Sequence, residues 1–155
     1  MNLSHWTQCL LSVCFAMHCS TLTAQELTWR DATSFEIEGR GWSQTAGPFD
    51  RLPDSAREKV PPTAWDLSKD SAGICVRFMT DAGSLDVRWS LTEDALAMPH
   101  MPATGVSGVD LYLRSAKGDW KFVGNGRPHK VEGNSSTFSL SEEQKTLREC
   151  LLYLP

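Results

Sequence analysis

Apolar and polar residues alternate strictly in several short runs of this chain. In "ICVRFMT", Ile74, Val76 and Phe78 share one face, and the intervening residues share the other. This pattern is typical of a β-strand with one buried face, and Gly, Pro, Asp and Ser bound the runs as turn residues do. The alternation therefore predicts a strand-rich fold.

A second run, "SLDVRWSL", puts Leu85, Val87 and Trp89 on one face. The intervening "DAG", Asp81 to Gly83, has the composition of a tight turn, so these two runs predict a β-hairpin. A second hairpin is predicted where Val109 to Arg114 turns through "AKGDW" into Trp120 to Val123.

Further strands are predicted at four places: Ser34 to Glu38, Ala64 to Leu67, Ser136 to Leu140 and Glu149 to Leu154. Only Ser141 to Leu147 has helix-compatible composition, for one helical turn at most. Short strands without helical crossovers indicate one all-β domain, an antiparallel jelly-roll-like β-sandwich.

The last strand, "CLLYL", has Cys150, Leu152 and Leu154 on one face and no polar residue after it. Either this strand is held at the centre of a sheet, or the natural polypeptide continues beyond it. In the second case Glu149 to Leu154, or a neighbouring strand, would present an unpaired apolar edge that favours association. Cys75 and Cys150 could pair as a disulfide or remain buried thiols.

The amino-terminal segment differs from the rest of the chain. No Asp, Glu, Lys or Arg precedes Glu26, and an apolar run occupies Cys9 to Met17. This composition predicts a signal peptide over residues 1–24, cleaved after Ala24, and a secreted or periplasmic mature domain over residues 25–155. The run is too short for a permanent membrane span. A formal net charge of -4 disfavours nucleic-acid binding.

Signatures of catalysis are absent from the sequence. It contains no G-x-S-x-G, no H-E-x-x-H, no P-loop and no complete G-x-G-x-x-G. The mature chain has two histidines, His100 and His129, and neither lies in a recognisable catalytic context. We therefore predict no catalytic residue and no cofactor.

The loop "AMPHMPATG" carries Met98, His100 and Met101, and the last two lie between Pro99 and Pro102. Thioether and imidazole groups suit copper, but three ligands at most are available where a soft site usually needs three or four. The alternatives are packing, with the methionines filling gaps and His100 bonded to a backbone carbonyl, or part of a binding surface. We predict no metal.

Tryptophans near turns raise the possibility of sugar stacking. Trp42 and Trp120 are the candidates for an exposed indole on a glycan, and the alternative for each is a place in the core.

Several long blocks of the sequence together resemble one known family. They are "SFEIEGRGW", "FDRLP", "WDLSKDSAGICVRFMTDAGSLDVRWSL" and "AMPHMPATGVSGVDLYLR". In this order they resemble the N-terminal domain that precedes SGNH (GDSL-like) hydrolases, a domain named for a Gly-x-Asp-Leu-Tyr motif. The motif residues in this chain are Gly108, Asp110, Leu111 and Tyr112. The resemblance extends over nearly all of residues 29–155.

The resemblance implies a β-sandwich that precedes an α/β esterase domain, in layouts that include enzymes acting on acylated carbohydrates. This sequence has neither the Gly-Asp-Ser block nor the Asp-x-x-His pair of that catalytic domain, so the chain resembles a truncated or split accessory domain. The loop Leu96 to Ser107 is predicted to face the hydrolase, with His100 forming substrate-side or interdomain hydrogen bonds. Arg40 and Arg51 are weaker candidates for the same surface. The alternative function is an autonomous glycan-binding module, and a small copper protein is the least favoured.

Overall fold

The structure, a computed structural model, describes residues 27–140 and 146–154. Within these ranges, seven strands form two antiparallel sheets. The strands are β1 Glu36–Glu38, β2 Ile74–Thr80, β3 Ser84–Trp89, β4 Val109–Arg114, β5 Trp120–Gly126, β6 Asn134–Ser139 and β7 Arg148–Leu154. The larger sheet has the order β1-β2-β7-β4-β5, and the smaller sheet pairs β3 with β6.

Helical structure is limited to short segments. Two α-helices occur, α1 Pro62–Leu67 and α2 Ala103–Ser107, with 3-10 turns at Ala32–Ser34 and Asp54–Ala56. The predicted strand at Ser34 to Glu38 is therefore reduced to the three residues of β1. The all-β class is confirmed, while the jelly-roll order of strands stays a prediction.

One hydrophobic core lies between the two sheets. The larger sheet contributes Val76, Val109, Leu111, Cys150 and Leu152, and the β6 region contributes Phe138 and Leu140. The partly buried Leu85, Val87 and Trp89 of β3 pack against this cluster. The inward faces predicted from the alternation of β2, β3, β4 and β7 are thus confirmed, because each of these strands has that apolar side turned to the shared core.

The predicted hairpin between β2 and β3 is wrong. The two strands lie in different sheets, β2 between β1 and β7, and β3 against β6. The "DAG" segment is a corner between the sheets: Leu140 N donates to Gly83 O at 2.8 Å, and Arg148 Nη2 donates to Ala82 O at 2.7 Å. A corner and a hairpin both turn the apolar sides of the flanking strands to one core, so alternation does not distinguish them.

The hairpin of β4 and β5 is confirmed. Its strands pair from Val109 with Gly126 to Arg114 with Trp120, and the register shifts between Leu111 and Tyr112. Gly118 in the turn has a φ of 91°, a conformation that favours glycine.

The predicted strand at Ala64 to Leu67 is also wrong, because these residues belong to α1. Pro61 and Pro62 open that helix, where a proline costs no hydrogen bond, and Trp65 N and Ala64 N donate to Pro61 O. A run of four residues is compatible with the periodicity of a strand and with that of a helix, so its pattern does not distinguish the two.

The last strand is central. β7 pairs with β2 on one side and with β4 on the other, which is the first of the two alternatives, and Glu149 to Leu154 presents no unpaired edge. Its apolar composition fits a strand with neighbours on both sides.

Cys75 and Cys150 are free thiols on opposite faces of the larger sheet. Cys150 is buried opposite Phe78 on the core side, whereas Cys75 lies opposite Tyr153. Residues directly opposite each other in a strand pair share a face, and successive residues of a strand alternate between the two faces. The two thiols therefore lie on opposite sides of the sheet and cannot form a disulfide unless the sheet is rebuilt.

The predicted signal peptide at residues 1–24 lies outside the described residues, as does most of the predicted helical turn at Ser141 to Leu147. Among the residues that are described, no helix has the length and apolarity needed to cross a membrane.

Candidate functional site

The motif Gly108 to Tyr112 divides its residues between two sides of the larger sheet. Val109 and Leu111 are almost fully buried in the core. Asp110 and Tyr112 point the opposite way, away from the second sheet. The motif therefore presents one carboxylate and one phenol on a surface that the core does not use.

Gly108 joins α2 to β4 at a point where no side chain fits. A Cβ there would lie 2.4 Å from Thr104 O and 2.7 Å from Gly126 O. Glycine is required by this close approach of three backbone segments, which fixes where β4 begins and hence where Asp110 lies.

We call the side of the larger sheet that is turned away from the core the outer face. Its residues are Glu36 and Glu38 of β1, Cys75, Arg77 and Met79 of β2, Glu149, Leu151 and Tyr153 of β7, Asp110, Tyr112 and Arg114 of β4, and Trp120, Phe122 and Asn125 of β5. The register shift in β4–β5 passes over Val123, which packs against the core, and leaves Phe122 and Trp120 on the outer face.

Asp110 lies near one end of this face, as the second residue of β4. Its cross-strand neighbours are Tyr153 of β7 and Asn125 of β5. Partial burial raises the pKa of Asp110, because loss of water disfavours the charged carboxylate. Desolvation, followed by the charge of Asp110, also raises the pKa of Tyr112, whose ring contacts Phe122 edge-on with 5.5 Å between centroids.

Four other charged residues of the outer face pair with one another. Arg77 donates to both carboxylate oxygens of Glu38 at 2.7 Å and also bonds Glu149. Arg114 Nη1 donates to Glu149 Oε2 at 2.8 Å. These bonds hold the pKa values of Glu38 and Glu149 below their ordinary range. Two arginines and two glutamates form one chain of ion pairs.

Trp120 is half-buried and flanked by the two arginines of that network. The guanidinium carbons of Arg77 and Arg114 lie 5.4 and 5.7 Å from its ring centroid. Trp42, by contrast, is 51% exposed. Of the two tryptophans predicted for sugar stacking, Trp42 has the more accessible ring.

The loop Leu96 to Ser107 forms a tight turn followed by α2. Met98 and Met101 exchange two backbone hydrogen bonds, of 3.0 and 3.1 Å, so that Pro99 and His100 occupy the tip. Met98 is 48% exposed and Met101 38%. Residues 97–104, together with Arg127, line an open depression of about 590 Å³.

His100 is exposed and has no hydrogen-bond partner among residues 27–140 and 146–154. The packing alternative, in which it bonds a backbone carbonyl, is not what the structure shows. Across the same ranges, no group of three or more His, Cys, Asp or Glu side chains could hold a metal ion.

The structure does not bring Arg40 and Arg51 to this depression, whose lining includes neither of them. Arg51 is tied to the end of α1, where its Nη2 donates to Leu67 O and its backbone N donates to Ser68 O at 2.8 Å. Arg40 is half-buried, with its Nε lacking a partner in the described part of the chain. Arg127, which sequence reasoning missed, follows β5 directly, and the pairing of Gly126 with Val109 puts it near the loop.

Comparison with known proteins adds independent information. Residues 27–155 match the family described as "GxDLY: N-terminus of Esterase_SGNH_hydro-type". No curated protein matches the chain. Among solved structures, a protein of Bacteroides ovatus described as a GDSL-like lipase matches with a TM-score of 0.71 and 27% identity.

That match covers 80% of this chain and 35% of the Bacteroides ovatus chain, so this chain spans about a third of its solved relative. The matched family region takes in both sheets and the Gly108–Tyr112 motif. This chain belongs to the GxDLY family, the N-terminal domain of SGNH-hydrolase-type esterases.

Proposed function

We propose that this chain is the non-catalytic accessory domain of a secreted SGNH-type esterase, which docks against the hydrolase domain and shapes its substrate cleft. The observation that carries the proposal is the family match, because that family is described as an N-terminal region of esterases. The solved relative agrees with it, since almost two-thirds of that chain lies outside the match. The hydrolysis itself is assigned to the hydrolase domain.

The loop Leu96 to Ser107 is the part of the chain that we assign to the substrate side. The exposed imidazole of His100 has both nitrogens available for hydrogen bonds, and Met98 and Met101 flank it with adaptable apolar surface. Arg127 supplies a cation at the rim. Arg51, which braces α1, is better assigned to the fold than to this surface.

The loop adjoins the outer face. β4 begins directly after α2, so Asp110 lies at the same end of the sheet as the loop, and β7 ends there at Tyr153 and Leu154. A hydrolase domain placed at this end could contact both the loop and the outer face.

The first experiment is to sequence the DNA immediately downstream of the gene. We expect a continuation, in frame or frameshifted, that encodes Gly-Asp-Ser and Asp-x-x-His blocks. Unrelated sequence would remove the basis for a split or truncated esterase. The second is to express that hydrolase domain and titrate it with this chain, which alone should not hydrolyse p-nitrophenyl acetate.

A glycan-binding role is the second candidate, because the indole of Trp42 is 51% exposed. Affinity electrophoresis on acetylated xylan or mannan tests it, with retardation lost on Trp42→Ala. Trp120→Ala should have a smaller effect, since two arginines already flank that ring. Equal mobility with and without every glycan would count against this role.

A further inference from the structure

The outer face of the larger sheet has more apolar surface than a solvent-facing side of a sheet normally carries. Phe122 is 55% exposed, and the half-buried Tyr112, Leu151 and Tyr153 continue from it across β4 and β7. Met79, 52% exposed, lies on the same face in β2, opposite Glu149. In two-layer antiparallel folds the side turned away from the core is usually polar. A contiguous apolar patch of this kind marks an interaction surface.

The central strand gives the same indication. In β7 the core side carries Cys150, Leu152 and Leu154, but the outer side carries Leu151 and Tyr153. Strands that are apolar on both faces are characteristic of sheets covered on both faces. One of those faces is covered by the second sheet.

The charges on this face would tolerate burial under a partner. Glu38, Arg77, Glu149 and Arg114 satisfy one another, so covering them leaves no charge without a counter-ion. Within the described ranges 27–140 and 146–154, two carboxylates of this face have neither a hydrogen bond nor an ion pair: Glu36, which is exposed on the edge strand β1, and Asp110, which is half-buried within the sheet. A partner that covers the face has to present a hydrogen-bond donor to Asp110, and a cationic donor does this best.

A second copy of this chain does not meet that requirement on the same face. In a symmetric pair the face meets itself, and its two cations, Arg77 and Arg114, are already engaged with glutamates. The solved relative suggests another occupant. The match covers 35% of that chain, and the remaining 65% is polypeptide that could cover this face.

We propose that the outer face, including Asp110 and Phe122, is the docking surface for the SGNH hydrolase domain, and that this domain places an Arg or Lys side chain against the Asp110 carboxylate. The inference rests on the proposed function. It adds which surface of this chain contacts the hydrolase domain and which charged groups meet there.

The test is isothermal titration of the full chain with the separately expressed hydrolase domain encoded beside it. We expect Phe122→Ser to raise the Kd at least 10-fold, through loss of an apolar contact at the centre of the interface. We expect Asp110→Asn to raise it at least 10-fold as well, because the partner cation loses its counter-charge. Lys121→Ser is the matched control, since Lys121 is exposed on the opposite side of β5, and it should stay within 2-fold.

The outcomes separate the two claims. If the wild-type chain binds but neither outer-face variant changes the Kd, the docking surface is wrong and the accessory role stands. If the wild-type chain does not bind, both are overturned. A third result would assign the face to a second copy of the chain: the wild-type chain is a dimer, Phe122→Ser is a monomer, and neither protein binds the hydrolase domain. Circular dichroism melts verify folding, and the isosteric Asp110→Asn still decides the inference if Phe122→Ser fails to fold.

Discussion

Asp110 of β4 lies directly opposite Tyr153 of β7, on the side of the larger sheet that the core does not use. The pairing links the family motif to the central strand. It also places the aspartate and the tyrosine of the motif together: residues two apart on a strand share a face, and here that face is the outer one. Gly108 and Leu111, by contrast, serve the fold.

The first prediction concerns Asp110→Asn in the isolated chain. Because desolvation raises the pKa of Asp110, the folded chain holds this proton more tightly than the unfolded chain does. Wild-type stability is therefore lost as the pH rises from the unfolded pKa, near 3.8, through the raised folded pKa. The Asn variant should be the more stable of the two at pH 7, and the difference should shrink towards pH 3.

Urea unfolding at several pH values measures this difference, with Asp119→Asn in the exposed turn before β5 as the control. A less stable Asp110→Asn variant at pH 7 would mean that the carboxylate already has a stabilising partner within the chain.

The second prediction concerns Gly108→Ala. The new Cβ would lie well inside contact distance of two backbone oxygens, which cannot rotate away. We expect a loss of about 3 kcal/mol in the free energy of unfolding, the upper range of overpacking effects. Gly105→Ala is the matched control in the same segment, where the nearest atom is Met101 Cε at 3.8 Å. Equal effects of the two substitutions in thermal melts would refute the close approach.

The third prediction concerns Arg77→Met and its pH dependence. Glu38 and Glu149 have pKa values below the ordinary 4.5, so the stability that Arg77 gives is complete above about that pH. It is lost as the pH falls through the lowered folded values. The variant should therefore be less stable than wild type at pH 7 and equal to it in acid.

Lys121→Met, at an exposed position of β5, controls for the loss of one positive charge. A stability difference for Arg77→Met that persisted unchanged into acid would point to packing against Trp120 instead of the ion pairs.

The fourth prediction concerns the two thiols. Cys150 is fully buried, and burial raises its pKa to about 11, so it should resist alkylation in the native chain. Cys75 is only partly buried and should react first, though slowly, because desolvation raises its pKa too. Peptide mass mapping after iodoacetamide treatment distinguishes the two sites. A Cys75–Cys150 cross-link in the native protein would contradict the sheet register.

Much of the fold could be predicted from alternation, which assigned the inward side of β2, β3, β4 and β7 correctly. It could not assign strand partners, because the corner at Asp81 to Gly83 and a true hairpin have the same local composition. The segment Ala64 to Leu67 was mistaken because two prolines decide its helical start, and four residues show no clear period.

The candidate site was only partly predictable. The loop with Met98, His100 and Met101 was identified from its composition, but Arg127 joins it only through the pairing of β4 with β5. One feature of the sequence indicated an apolar outer face: "CLLYL" has apolar residues on both faces of a strand. The positions of Phe122 and Trp120 depend on the register shift beside Leu111, which no local pattern in the sequence indicates.

The most direct test of the docking surface is hydroxyl-radical footprinting of the chain, free and saturated with the hydrolase domain. Phe122 and Met79 report on the outer face, while Met98 and Met101 report on the loop, and all four are exposed in the free chain. We predict that oxidation of Phe122 and Met79 falls several-fold in the complex. Oxidation of both at the free-chain rate in a saturated complex would contradict the account.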